Sequence, residues 1–69
     1  MTRETAGRLT AENINTLYGF ALSRLGDTDE AEELTAEIIS ALLSSLERLR
    51  DDEKFYSFMW KVAQNTYVA

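Results

Sequence analysis

The sequence has no cysteine, no histidine and no proline, and only three glycines in 69 residues. Without cysteine there is no disulfide framework and no thiolate metal site. Without histidine, imidazole ligands and Cys/His or Ser/His nucleophilic pairs are excluded as well. Carboxylates are the only acid/base groups left. No Asn-Gly or Asp-Gly turn occurs, and no segment alternates apolar with polar residues, so half-buried strands are not expected. Long apolar runs are missing too: the most apolar stretch, residues 38–43, is interrupted by Ser40 and is far too short to span a bilayer. Behind Met1-Thr2-Arg3-Glu4-Thr5 there is no apolar run, which makes the cytoplasm the expected location.

What remains is 45% apolar and 28% charged, enough for one small domain and no more. A chain of this size buries only about 60% of its extended surface. Ordering costs of roughly 1.5 kcal/mol per residue nearly cancel the hydrophobic gain. Marginal stability is therefore expected, relieved by dimerisation or by a continuation of the chain.

Apolar periodicity divides the sequence into three helices, an all-α bundle with room for a fourth. The first is expected over 11–25: Thr10 suits its N-cap, and Ile14, Leu17, Tyr18, Ala21 and Leu25 fall on one stripe at about 100° per residue. Gly26 suits the left-handed position that ends a helix. Gly19 inside it costs about 1 kcal/mol relative to alanine, unless it permits a close helix contact. For the second helix Asp27 can cap the free amides while Glu30 reaches back, and Asp29, Glu32 and Glu33 add negative charge near the positive end of the helix dipole. Its inward stripe is Ala31, Leu34, Ile38, Leu42, Ser45 and Leu49, widened by Ile39 and Leu46, and implies about 20 residues. A charged connection around 48–53 follows, in which Asp51 or Asp52 can cap a third helix over 53–69. That helix turns Phe55, Phe58, Met59, Val62 and Thr66 inward and leaves Lys61, Gln64 and Asn65 outside. A second strip, Tyr56, Trp60 and Tyr67 with Ala63 beside them, needs cover from another helix or from a ligand; Phe20, off the main stripe of the first helix, is one candidate.

The charge is polarised. Residues 26–53 carry ten acids and two bases, whereas the flanks carry two acids and five bases, for −5 overall. An acidic middle suits a basic partner at the second helix, and weakly basic flanks suit an anionic one near the third. A plain solvated face accounts for the same pattern.

Two motifs narrow the reading. Gly26-Asp27-Thr28-Asp29-Glu30-Ala31-Glu32-Glu33-Leu34-Thr35-Ala36-Glu37, followed after a helical stretch by Phe55-Tyr56-Ser57-Phe58-Met59-Trp60-Lys61-Val62-Ala63-Gln64-Asn65, resembles region 2 of bacterial RNA polymerase sigma factors, most of all the extracytoplasmic-function (ECF) branch. Leu17-Tyr18 and Ala21 also fit, and the resemblance covers residues 12–69 with both motifs in the family's order and separation. It implies a bundle whose second helix docks on the clamp coiled coil of the polymerase largest subunit through Glu33, Ala36, Glu37 and Ser40. It further implies that the later helix and the loop before it, through Arg50, Lys54, Lys61 and Asn65, meet the melted minus-ten promoter element, capturing unstacked bases by stacking and polar contacts.

The chain departs from the family at three positions. Ala36 stands where relatives usually have glutamine, and Tyr56 and Gln64 stand where many have arginine, which lowers the phosphate-binding charge. Relatives continue with a basic segment and a second helical domain, so residues 1–69 are expected to be one region 2-like domain of a longer sigma factor. The resemblance implies no enzymatic reaction, no cofactor and no metal, and it brings an anti-sigma factor among the expected partners. Two other readings compete. One is a regulatory or structural helical module that dimerises through the aromatic strip or binds polymerase without opening DNA. The other is a carboxylate enzyme, disfavoured because the acids lie on a capped, exposed helix with no divalent-ion loop.

Overall fold

In a computed structural model, described here for residues 1–68, the chain forms four helices and a single 3-10 turn, with no strand among the described residues. Helix α1 spans Arg3–Glu12, α2 spans Ile14–Leu25, α3 spans Thr28–Leu46, the 3-10 turn spans Asp52–Lys54, and α4 spans Phe55–Val68. Helix α3 is the axis of the bundle: α1, α2 and α4 all pack on it, within overall dimensions of 34 × 20 × 17 Å.

The α2–α3 junction forms as the sequence dictates. Gly26 adopts φ 67°, and its N–H bonds the Leu22 carbonyl at 2.8 Å, closing α2 in a left-handed conformation that other residues disfavour. Asp27 then caps α3, its Oδ1 accepting the Glu30 N–H at 2.9 Å. The reciprocal half of the capping box is absent among the described residues, where the Glu30 carboxylate accepts no hydrogen bond from the Asp27 N–H. Ala31, Leu34, Ile38, Leu42 and Leu46 enter the core with Leu17 and Ala21 of α2 and Phe55, Met59 and Ala63 of α4. Leu46 takes the fully buried place and ends α3, so Leu49 follows outside the helix and only half-buried.

The N-terminal part differs from the single helix expected over 11–25. Residues 3–12 form a helix of their own, capped by Thr2, whose hydroxyl accepts the Thr5 N–H at 3.1 Å. Thr10 is not a cap; it is buried inside α1, and its hydroxyl has no hydrogen-bond partner. The break falls at Asn13, with φ −112° and ψ 10°, where the side-chain amide donates to the Leu9 carbonyl at 2.8 Å and competes with the helix ladder. Because the inward positions of this stretch are Ala6, Thr10 and Asn13, small or polar, its apolar period is faint. Asn13 also takes the buried position before α2, which leaves Ile14 exposed rather than in the core stripe.

The aromatic strip divides. Phe20 of α2 meets Trp60 edge-on at 5.6 Å between centroids and Tyr67 at 6.2 Å, while the Arg24 guanidinium lies 4.8 Å from the Phe20 ring centre. Another helix thus partly covers Trp60, as the sequence allowed, whereas Tyr67 touches Phe20 and stays 39% exposed. Tyr56 leans edge-on against Phe55 and stays exposed, and Ala63 belongs to the core rather than to the strip. Phe58 is half-buried, because α4 turns Phe55, Met59 and Ala63 most directly inward. Gly19 is exposed, and a methyl group there would meet nothing within 4 Å, so no close helix contact explains it.

Candidate functional site

With one side of α3 buried, its other side is free to recognise something. Glu33, Ala36, Glu37 and Ser40 are all exposed. Residues three and four apart are neighbours on a helix surface, so these side chains form one outward row, with Glu33 and Glu37 about 6 Å apart at their β-carbons. The single polar side chain that α3 buries, Thr35, is satisfied by donating to the Ala31 carbonyl at 2.7 Å, so the core side requires no external partner. Among the described residues neither Glu33 nor Glu37 is engaged in an ion pair. Two like charges held side by side on a rigid helix favour a partner bearing guanidinium or ammonium groups.

The same row continues beyond Ser40. Leu43, Ser44 and Glu47 follow at the helical interval, and from Glu33 to Glu47 the row covers about 21 Å of helix length and an arc of about 120°. Its far half forms one wall of a recess of about 570 Å³ whose other wall is α1, through Arg3, Ala6 and Gly7. Leu43 is 42% exposed there. Arg3 Nε bonds Glu47 Oε1 at 3.1 Å across one end. Sequence reasoning missed this half of the surface. Periodicity from Ser40 was sufficient to find Ser44 and Glu47, but Arg3 and Gly7 required knowing that α1 exists.

A second surface lies at the start of α4. Arg50 and Lys54 are exposed on either side of the turn in which Asp51 Oδ1 accepts the Glu53 N–H at 3.0 Å. Lys61 and Asn65, one helical turn apart, are exposed on α4. The structure therefore groups Arg50 with Lys54 around one turn and Lys61 with Asn65 on one helix face. The turn is electrically balanced: Arg48, Arg50 and Lys54 are offset by Asp51, Asp52 and Glu53. No group of three or more metal-ligating side chains occurs among the described residues.

The family model for sigma-70 region 2 matches residues 9–68, from the second half of α1 through the end of α4. The chain belongs to the sigma-70 region 2 family. No curated protein and no solved structure matches it. A sigma-70 region 2 domain is part of a transcription initiation factor rather than of an enzyme, and it takes part in RNA polymerase binding and promoter recognition. Its partners are accordingly the polymerase core and promoter DNA. The all-helical bundle agrees with that family, and among the described residues no helix is long and apolar enough to cross a membrane.

Proposed function

We propose that this region 2 domain comes from an ECF-type sigma factor and that the outward row of α3, Glu33, Ala36, Glu37 and Ser40, docks on the clamp coiled coil of the polymerase largest subunit. Arg50, Lys54, Lys61 and Asn65 face the melted minus-ten element, where no bond is made or broken and unstacked bases are held by polar and stacking contacts. An anti-sigma factor is a further partner, and residues 1–69 act as one domain of a longer factor. The observation that carries the reading is the contrast across α3: one side is fully packed, while the opposite side presents two carboxylates without ion-pair partners.

The test is a titration with the clamp coiled coil, comparing the wild type with Glu37→Arg. Reversing a charge against a basic partner is expected to weaken binding at least about tenfold. Equal affinities, or no binding by either protein, would refute the docking role. One observation favours a second reading, polymerase binding without DNA opening: the balanced charge of residues 48–54, with Tyr56 and Gln64 in place of arginines. A labelled single-stranded minus-ten oligonucleotide at low salt separates the two, because only the first reading expects its anisotropy to rise.

A further inference from the structure

The recess between α1 and α3 has no occupant within the fold, yet the outward row of α3 runs directly into it. Ser40 belongs to both, as the last residue of the proposed docking row and as part of the recess wall. Gly7 supplies the open space on the α1 side: it is exposed in a helix, and a methyl group there would meet nothing within 4 Å. Neither backbone geometry nor packing requires glycine at this position, and alanine would favour the helix more. At the end of the recess the carboxylate of Glu47 is held by Arg3, whose side chain is 89% exposed and exchangeable for another guanidinium. The α1 wall through Gly7 lies ahead of the residues that the sigma-70 region 2 pattern matches.

We infer that this recess is the second half of the polymerase-docking surface, and that it receives one large aliphatic side chain from the same basic helix that meets Glu33 and Glu37. The inference rests on the docking role proposed above. Charge complementarity and continuity choose the occupant. A helix laid along α3 with cations opposite Glu33 and Glu37 reaches Leu43 about two turns further on and can place a basic group at Glu47. Leu43 supplies apolar contact, Ser40, Ser44 and Gly7 leave the room, and Arg3 yields its carboxylate to the incoming cation. An apolar contact at the centre with charged contacts around it follows the usual layout of an interface, an apolar core inside a polar rim.

Four variants test this against the purified clamp coiled coil by calorimetric titration. Gly7→Leu and Ser44→Leu fill the recess from opposite walls, Gly7→Ala adds a methyl group only, and Glu37→Arg reports on the docking row. Gly7→Leu and Ser44→Leu are each expected to weaken binding at least about tenfold without lowering Tm, while Gly7→Ala stays within about twofold. If Gly7→Leu lowers Tm, Ser44→Leu decides, since it replaces an exposed serine whose hydroxyl bonds only the Ala41 carbonyl of its own helix. Weak binding by Glu37→Arg with unchanged binding by both filled variants would overturn the inference and leave the docking role standing. No effect of Glu37→Arg, or no binding by the wild type, would remove the docking role and the inference with it. A wild-type dimer that Gly7→Leu dissociates, with clamp affinity unaltered, would show that a second copy fills the recess and would also overturn it.

Discussion

Replacing Phe20 with leucine asks whether the aromatic side of α4 is structural. Leucine keeps an apolar side chain at the site but removes the ring, and with it two edge-on contacts, to Trp60 at 5.6 Å and to Tyr67 at 6.2 Å. Such pairs contribute about 0.5–1.5 kcal/mol each beyond their buried area. The Arg24 guanidinium 4.8 Å from the ring adds about 0.5–1 kcal/mol at an exposed site. Because Phe20 is only half-buried, the lower part of that range applies, and a loss of about 2 kcal/mol is expected. For a domain whose whole stability is about 3.5–10 kcal/mol, this is a large fraction. Thermal unfolding followed by far-UV circular dichroism should show Tm falling by roughly 8–16 °C. Trp60 emission reports the same contact from the other side and should change in the folded state. A fall of less than about 3 °C, with Trp60 emission unaltered, would mean that Phe20 does not hold α2 to α4.

Two further outcomes follow from the structure. Thr10→Val replaces a buried hydroxyl that has no partner with a methyl group of similar shape, and urea unfolding should show a gain of about 0.5–1.5 kcal/mol; a loss would mean that the hydroxyl is satisfied in solution. If Arg50, Lys54 and Lys61 are the cations that meet single-stranded promoter DNA, the logarithm of affinity should fall against the logarithm of salt with a slope of about −2, and a slope steeper than about −4 would place phosphates elsewhere on the protein.

The parts of the fold legible in the sequence are those with strong local signals. Gly26 and Asp27 fixed the α2–α3 junction because a left-handed position and a free helix end each have few solutions, and α3 then followed from its apolar period. Helix α1 was illegible for the opposite reason: its buried face is Ala6, Thr10 and Asn13, which carry little hydropathy contrast, and Thr10 resembles a cap when tertiary packing is unknown. Along α4 the period located the buried side, but a rotation of a few tens of degrees decided that Ala63 is core and Phe58 only half so. Exposure of Glu33, Glu37 and Ser40, and of Lys61 and Asn65, followed from the same periodicity, whereas Ala36, Arg50 and Lys54 entered only through the family resemblance. The recess did not, since its two walls are more than thirty residues apart in sequence and meet only because α1 lies along α3.

The joint at Asn13 has a mechanical consequence. No loop connects α1 to α2; one residue does, and its amide is fastened to the Leu9 carbonyl. Prising α1 away from α3 therefore concentrates the motion on the torsions next to Asn13, because there is no slack to draw on. The α1 wall of the recess is thus tied to α2 through one residue rather than through a loop. Under the inference drawn above, a side chain entering the recess would meet walls already in place, and little conformational entropy would be lost on binding.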